Sequence, residues 1–383
     1  MAARYPTAPC LLQRTLLLLA SACAVVLLLS RCISPSARAA QPATPSAGLA
    51  PWNGPLVSGK GFTIGPDVRV FAVFAYLNTM GGHDEEREPP MDPLRVRLRN
   101  DVSAALKTVD PARIARWKSF AAGHLAAVSA YAASAITFGI PAEFRPGAAL
   151  DQLLDPSSAA GLTGFDRVLS EFWRSAGLER LYRTSYREEI ARRAVQDDPA
   201  RISSQLESVH GYLRLVPEET ARVSVAIIPN PFDSHSSRHA IRAARTLTIL
   251  EGPGMGGERL DLRAYLHYFV DPVVGKAAGV RSEVAQGLAA ANRTKPLVKG
   301  IREDPAAFVS ECLVRALDSR IEQAREGSRD PGLLDRLWQR MQKESEGGLT
   351  LVPFFFAELS RFEFDDGMSL ATFVDSALTR LGK

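Results

Sequence analysis

The residues best placed for chemistry in this 383-residue chain are His267 and Glu311. His267 lies four positions after Arg263, so on an α-helix the two side chains share one face, one turn apart. Two histidines at this spacing bind zinc in hydrolytic sites, and a glutamate directly after the first histidine activates the attacking water. Here Arg263 stands at the first ligand position and Ala264 at the position of the base. The pattern therefore predicts a metal-site helix that has lost half of its chemistry.

The residues around His267 also carry a family resemblance. The segment Arg263–Pro272 resembles a group of secreted bacterial proteins of unknown function that show H-E-x-x-H followed by F-V-N-P. Glu311–Ala316 resembles their later E-x-x-V-R-A pattern, and the similarity runs from about residue 67 to the end of the chain. Such proteins are predicted zinc peptidases, and the order of strand, site helix and glutamate helix resembles the gluzincin class. The resemblance implies a peptidase fold in which His267 and Glu311 stand at the positions of metal ligands.

The two substitutions argue against ordinary catalysis. A catalytic zinc normally has three protein ligands, so two would hold it weakly. Loss of the base alone costs on the order of 10²–10⁴ in rate. The guanidinium of Arg263 stays protonated and repels a divalent cation. We expect Arg263 to pair with Glu311 and so to replace the metal as the tie between two helices. No cofactor is expected, and zinc only if the site is still functional.

A second pair of histidines, His235 and His239, has the same spacing of four. On a helix the two rings would lie together and could complete a non-standard metal site near His267. The preceding segment Pro231–Ser234 instead favours a polar loop between two strands. A metal role for this pair is therefore the alternative interpretation.

The hydrophobic pattern predicts an α+β protein that is mostly α. Val223–Ile228 and Thr246–Leu250 are β-branched runs bounded by Pro or Gly and predict a small sheet ahead of the site helix. Arg69–Asn78 predicts a helix that ends at glycine, and Ile114–Phe138 predicts one long helix. Other helices are expected near residues 164–194, 273–291, 303–325, 331–344 and 368–381.

The N-terminal residues 1–39 are typical of a secretory signal peptide. A basic start precedes the uncharged run Thr15–Ser30, and Ala37–Ala39 offers a small-x-small cleavage site. An uncleaved membrane anchor is the alternative, although this run is short for a membrane span. Residues 40–65, rich in Pro, Ala, Ser and Gly, predict a flexible linker, and residues 66–383 a single zinc-peptidase-like domain. We expect a secreted or periplasmic protein without a stable membrane span after cleavage.

Composition narrows the choice of partners. The leader holds four Arg and no acidic residue, so its removal leaves 42 basic residues against 42 acidic ones. A neutral domain gives no reason to expect binding to nucleic acid. Three of the four cysteines also lie in the leader, and only Cys312 remains. Without an internal disulfide the fold must depend on its hydrophobic core.

These patterns predict a metallopeptidase-like protein that is catalytically inactive and binds a peptide or protein. Strand Thr246–Leu250 would offer a free edge to an extended chain. Two alternatives stay open: an active zinc metallopeptidase with non-standard ligands, and a helical extracytoplasmic interaction domain. Stoichiometric zinc would favour the first alternative. The absence of a cleft between the Arg263 helix and the Glu311 helix would favour the second.

Overall fold

The structure is a computed structural model of the chain. It describes residues 54–381 except for 82–91, 125–126, 140, 142, 148–149, 155, 195–198, 236, 244, 255–261, 278–303 and 328–329. The expected signal peptide, the first part of the expected linker and most of the expected helix 273–291 therefore lie outside the described residues.

The described chain is α+β and mostly α, as the sequence predicts, with a five-stranded mixed sheet. Its strands are β1 Val57–Gly59, β2 Phe62–Ile64, β3 Ser224–Pro229, β4 Arg238–Ala243 and β5 Thr246–Glu251. Their order across the sheet is β1-β2-β3-β5-β4. β2, β3 and β5 run parallel, whereas β1 and β4 run antiparallel to their neighbours at the two edges. β3 and β5 coincide with the two predicted strands.

The helices lie on either side of the β3–β5 segment in the chain. Before it come α1 Val68–Met80, α2 Pro93–Leu106, α3 Pro111–Gly123, α4 Val128–Thr137, α5 Leu150–Leu153, α6 Pro156–Ala160, α7 Phe165–Ser175, α8 Leu178–Leu181, a π-helical turn Tyr182–Tyr186, α9 Arg187–Ala194, α10 Pro199–Tyr212 and α11 Pro217–Thr220. After it come α12 Leu262–Val274, α13 Pro305–Glu326, α14 Leu333–Glu346, α15 Val352–Phe364 and α16 Leu370–Leu381.

The sheet separates two hydrophobic cores. Along β3, Val225 and Ile227 belong to the core formed with α10 and with α12 to α16, whereas Ile228 belongs to the core formed with α1 to α4 and α7 to α9. Successive side chains of a strand point to opposite faces, so one strand serves both cores. Burial on both faces explains why β3 and β5 are continuous apolar runs in the sequence. The candidate site helices, α12 and α13, belong to the first core.

Helix α1 confirms the prediction of a helix with a glycine stop. Asp67 caps its start by accepting a hydrogen bond of 2.8 Å from the backbone N–H of Arg69. Gly81 ends it in the left-handed conformation, with φ of 85°. Glycine adopts this conformation without the steric cost that a Cβ atom brings. Most of α1 is buried, which agrees with its largely apolar sequence.

Two expectations about segment boundaries are wrong. Residues 57–64, inside the expected linker 40–65, form β1 and β2, because Phe62 and Ile64 bury their side chains in the first core. These strands are too short to show a period in the sequence. The expected helix Ile114–Phe138 is two helices, with α3 ending at Gly123 and α4 beginning at Val128.

Within the described chain no single helix has both the length and the apolar character to cross a membrane. Helices α3 and α4 taken together, bent by 115°, meet that test by length and composition alone.

The expectation that Thr246–Leu250 forms a free edge is also wrong. β5 lies between β3 and β4 and pairs with both strands. The edge strand on this side of the sheet is β4, which the sequence analysis assigned to a loop. Its charged residues Arg238 and Arg242 make it less apolar than an interior strand, as is usual for edges. Helix α15, whose aromatic run Phe354–Phe356 contributes to the first core, was not predicted from the sequence.

A buried hydrogen bond fixes the orientation of α12. Tyr265, which is 2% exposed, has its hydroxyl oxygen 2.6 Å from Nε2 of His210 on α10. Burial and the charge of Lys60 lower the pKa of His210, so its ring is neutral near pH 7 and Nε2 accepts a hydrogen bond from the tyrosine hydroxyl. The ring of Phe269, one turn further on, meets Tyr265 edge to face at 5.2 Å. These contacts set the rotation of α12 and hence the direction of His267.

Removal of the tyrosine hydroxyl tests this contact. We expect Tyr265→Phe to lower the free energy of unfolding by about 1–2 kcal/mol, because His210 loses its partner in a partly buried place. The same substitution in a His210→Leu background should cost much less, since the hydroxyl has no partner there. Urea unfolding of the four proteins measures the coupling. Equal costs in the two backgrounds would contradict the contact.

Candidate functional site

Helices α12 and α13 bring the two predicted ligand positions together. Nε2 of His267 lies 3.1 Å from Oε2 of Glu311. On α12, Leu262, Leu266 and Val270 repeat every four residues and are buried in the core, which leaves His267 on the flank of the helix facing α13. Two ligand atoms of a tetrahedral zinc are about 3.3 Å apart when the bonds are 2.0–2.1 Å long. The histidine and the glutamate therefore stand at nearly the spacing of two zinc ligands.

The other ring nitrogen of His267 is held by a carboxylate. Its Nδ1 lies 2.8 Å from Oδ1 of Asp271, one turn later on α12. Arg242 of β4 donates from Nη1 to Oδ2 of Asp271 and, at 3.2 Å, to the carbonyl oxygen of His267. A carboxylate in this place orients the ligand histidine in many metal sites. Here it fixes the imidazole in the direction of Glu311.

The second oxygen of Glu311 is bound by an arginine on the same helix. Nε of Arg315 donates to Oε1 of Glu311 at 2.6 Å, and Nη1 of Arg315 donates to Oε1 of Glu344 on α14 at 2.9 Å. The result is a row of alternating charges that we call the ion-pair chain. Its members, in order, are Arg242, Asp271, His267, Glu311, Arg315 and Glu344. It joins β4, α12, α13 and α14.

The ion-pair chain keeps His267 protonated. Burial opposes a charge on the ring, but the hydrogen bonds and charges of Asp271 and Glu311 outweigh it and raise the pKa of His267 to about 9. Burial likewise opposes the charge of Glu311, yet His267 and Arg315 lower the pKa of Glu311 to about 2. Burial also opposes the charge of Asp271, but its hydrogen bonds with His267 and Arg242, and their positive charges, lower the pKa of Asp271. At neutral pH an imidazolium thus lies between two carboxylates.

The expected ion pair between Arg263 and Glu311 is wrong. Both oxygens of Glu311 are already taken, one by His267 and one by Arg315. The positive charge at the place of a metal is therefore an imidazolium supported by Arg315. Arg263 lines the cavity next to this pair, as does Ala264. Arg315 was not among the predicted site residues, although it lies four residues after Glu311, on the same helix face.

The site opens into a cavity between β4, α12 and α13. Its volume is about 640 Å3, within the range of small-molecule and peptide pockets. The walls include small residues from all three elements, namely Ala240, Ala264, Gly275, Ala306 and Ala307. Side chains of this size leave the charged groups of the ion-pair chain accessible from one side. The cleft expected between the Arg263 helix and the Glu311 helix is thus present.

The described residues do not fit a catalytic zinc. His267 and Glu311 supply two of three donors, and the atoms that would face the metal are bonded to each other. An imidazolium has no lone pair for a metal, so binding would first require loss of its proton. Arg263 and Ala264 supply neither the third donor nor a base. In the part of the chain that the structure describes, no group of three or more His, Cys, Asp or Glu side chains has an arrangement that could hold a metal.

The second histidine pair lies elsewhere. His239 belongs to β4 rather than to a helix, and its Nε2 lies 2.9 Å from Oδ2 of buried Asp233. His235 precedes the strand, and its ring fills the place where a Cβ atom on Gly254 would stand. Neither histidine lines the cavity. The two rings therefore serve local packing and hydrogen bonding. The loop predicted for this region ends where β4 begins, at Arg238.

Three further members of the ion-pair chain, Asp271, Arg242 and Glu344, were not identified from the sequence. Asp271 is four residues after His267, so helical spacing alone could have identified it as a partner. Arg242 and Glu344 come from β4 and α14, far from α12 in sequence. No local pattern marks them, because only the packing of the elements brings them to the site.

The charge on His267 makes stability depend on pH. Its pKa is about 9 in the folded chain against an ordinary value of 6.5, so the stabilisation is fully present below pH 6.5 and is lost as the pH rises to 9. The loss is up to about 3 kcal/mol. We expect His267→Gln to be less stable at pH 6 and to show much less change between pH 6 and 9.5 in urea unfolding.

A matched control is His124→Gln, since His124 is half-buried and contacts Phe120 rather than a carboxylate. This variant should keep the pH dependence of the wild type. A wild-type protein as stable at pH 9.5 as at pH 6 would contradict the protonated imidazole.

No family model, no curated protein and no solved structure matches this chain.

Proposed function

We propose that this protein is an extracytoplasmic, gluzincin-like relative of the metallopeptidases that has lost catalysis and binds an extended peptide or protein segment. The observation that carries the proposal is the contact of 3.1 Å between His267 and Glu311 across two packed helices. Arg263 and Ala264 stand where catalysis needs a ligand and a base. The leader-like residues 1–39 support export from the cytoplasm.

The position of β4 supports the binding of an extended chain. β4 is the edge strand on the side of the cavity, and its alternate residues Ala240 and Arg242 line the cavity wall. An edge strand presents unpaired backbone N–H and C=O groups, which an incoming peptide can pair with. Every second side chain of such a peptide would point toward α12 and α13. This role falls to β4 and not to β5, which is an interior strand.

The charges of the site support the loss of catalysis. Water activation needs a metal or a base, and Ala264 provides no base. The imidazolium of His267 is fixed between Asp271 and Glu311, so its nitrogen atoms donate hydrogen bonds and do not coordinate. The cavity between α12 and α13 favours a protein with a binding site over a purely helical interaction domain.

Zinc content tests the inherited site. We expect the purified full chain to hold far less than one zinc per protein, and the double variant Arg263→His with Ala264→Glu to hold close to one, because a third ligand then joins His267 and Glu311. Elemental analysis after dialysis against micromolar zinc measures both. The same double variant with His267→Ala is the control and should return to the wild-type level. Stoichiometric zinc in the wild type that His267→Ala removes would overturn the loss of the metal.

Peptide arrays test the binding role. Seven-residue peptides, acetylated and amidated, are randomised over uncharged amino acids except at the central position, which is Glu, Gln or Lys. We expect the labelled full chain to bind a subset of them. N-methylation of alternate backbone nitrogens of a bound peptide should weaken binding at least about tenfold in one register and little in the other, since only every second N–H faces the edge of β4.

Fluorescence anisotropy in solution measures these affinities. If no peptide binds, or if both N-methylation registers have equal effects, pairing with β4 is excluded.

A further inference from the structure

The hydrogen-bonding groups of the cavity are unequally used. The acceptors are occupied: both oxygens of Asp271 and both oxygens of Glu311 accept from cations. The donors are not. Arg242 bonds to the described residues through Nη1 alone, which leaves its Nε and Nη2 open, and 45% of its side chain is exposed. An anion entering the cavity would find open donors, whereas a cation would find few free acceptors.

Ser310 provides a second open donor on the opposite wall. It precedes Glu311 on α13 and lines the same cavity, yet the residue is only 3% exposed. Its hydroxyl makes no hydrogen bond within the part of the chain that the structure describes. Because Ser310 lines the cavity, this hydroxyl can donate to an acceptor atom of a ligand.

The charged side chains of the cavity wall also favour an anionic ligand. Three arginines, Arg242, Arg263 and Arg315, line the cavity, and two of its three carboxylates are already bonded to arginines. The third carboxylate, Asp304, caps the start of α13 by accepting from the backbone N–H of Ala306 at 2.8 Å. The start of α13 also adds the positive end of a 22-residue helix to this wall.

We propose that the cavity binds a carboxylate group, held by Arg242 on one wall and Ser310 on the other. The inference rests on the proposed function, since the carboxylate belongs to the peptide that pairs with β4. It comes either from an acidic side chain or from the C-terminus of the peptide. Arg242 lies on β4 itself, so the register of a paired peptide brings one of its groups beside the guanidinium. Arginine donors suit a carboxylate because their two N–H groups match its two oxygens.

The peptide arrays separate this inference from the proposed function. Among peptides that bind, we expect a central Glu to give at least about tenfold higher affinity than Gln, with Lys weakest, because a charge-assisted hydrogen bond is lost. A further set with Gln at the end and either a free or an amidated C-terminus distinguishes the two sources of the carboxylate. Preference for the amidated Glu peptides assigns a side chain, and preference for the free acid assigns the C-terminus.

Variants of the protein identify the donors. Arg242→Gln and Ser310→Ala should each reduce the preference for Glu over Gln, measured as the ratio of the two affinities for the same variant, to less than about threefold. Arg245→Gln is the matched control, since Arg245 is an exposed arginine of the same hairpin outside the cavity wall. Peptides that bind with no preference for a carboxylate in either form overturn this inference and leave the proposed function intact. Absence of binding by any peptide overturns both.

Discussion

One proton, held on His267 between Asp271 and Glu311, is the constraint on which the site depends. Without it, Asp271 and Glu311 would each keep one arginine partner but lose the shared cation between them, and the tie between α12 and α13 would weaken. With it, each carboxylate oxygen has a charged donor, which is the condition under which partly buried ion pairs are tolerated. The proton thus does the work that a metal ion does in a zinc site, which is to hold two helices at one fixed spacing.

The wider fold serves this arrangement. β4 runs antiparallel to β5 along the edge of the sheet and supplies Arg242, which binds the carbonyl oxygen of His267. β5 is an interior strand and precedes α12 in the chain. α13 carries Glu311 and Arg315 on one face and buries Leu313 and Leu317 on another. The small residues of the cavity wall leave the ion-pair chain open to the cavity on one side only. The site therefore lies at the junction of the sheet edge with two core helices, where binding pockets commonly form.

The sequence predicts those parts of the structure that depend on local chemistry. The glycine stop after α1, the apolar interior strands and the shared face of residues 263 and 267 all follow from periodicity and turn chemistry. Strand order does not follow from local chemistry. The sequence therefore could not show that β4, and not β5, is the edge strand. The pairing of Glu311 shows the same limit. Three cations lie near it, and only the packing of α12 and α13 decides that His267 and Arg315 bind it and Arg263 does not.

The alternation of sign along the ion-pair chain has a consequence for how this protein can diverge. Each inner member has an opposite charge on both sides, so loss of one residue takes a partner from two neighbours in a poorly solvated place. Tolerated changes should then come in compensating pairs that keep the sum of charges at zero, and lineages that inherit the motif should differ by such double steps rather than by single ones. The same coupling extends to α14 through the bond between Arg315 and Glu344. Substitutions at Glu344 should therefore accompany substitutions in the cavity wall.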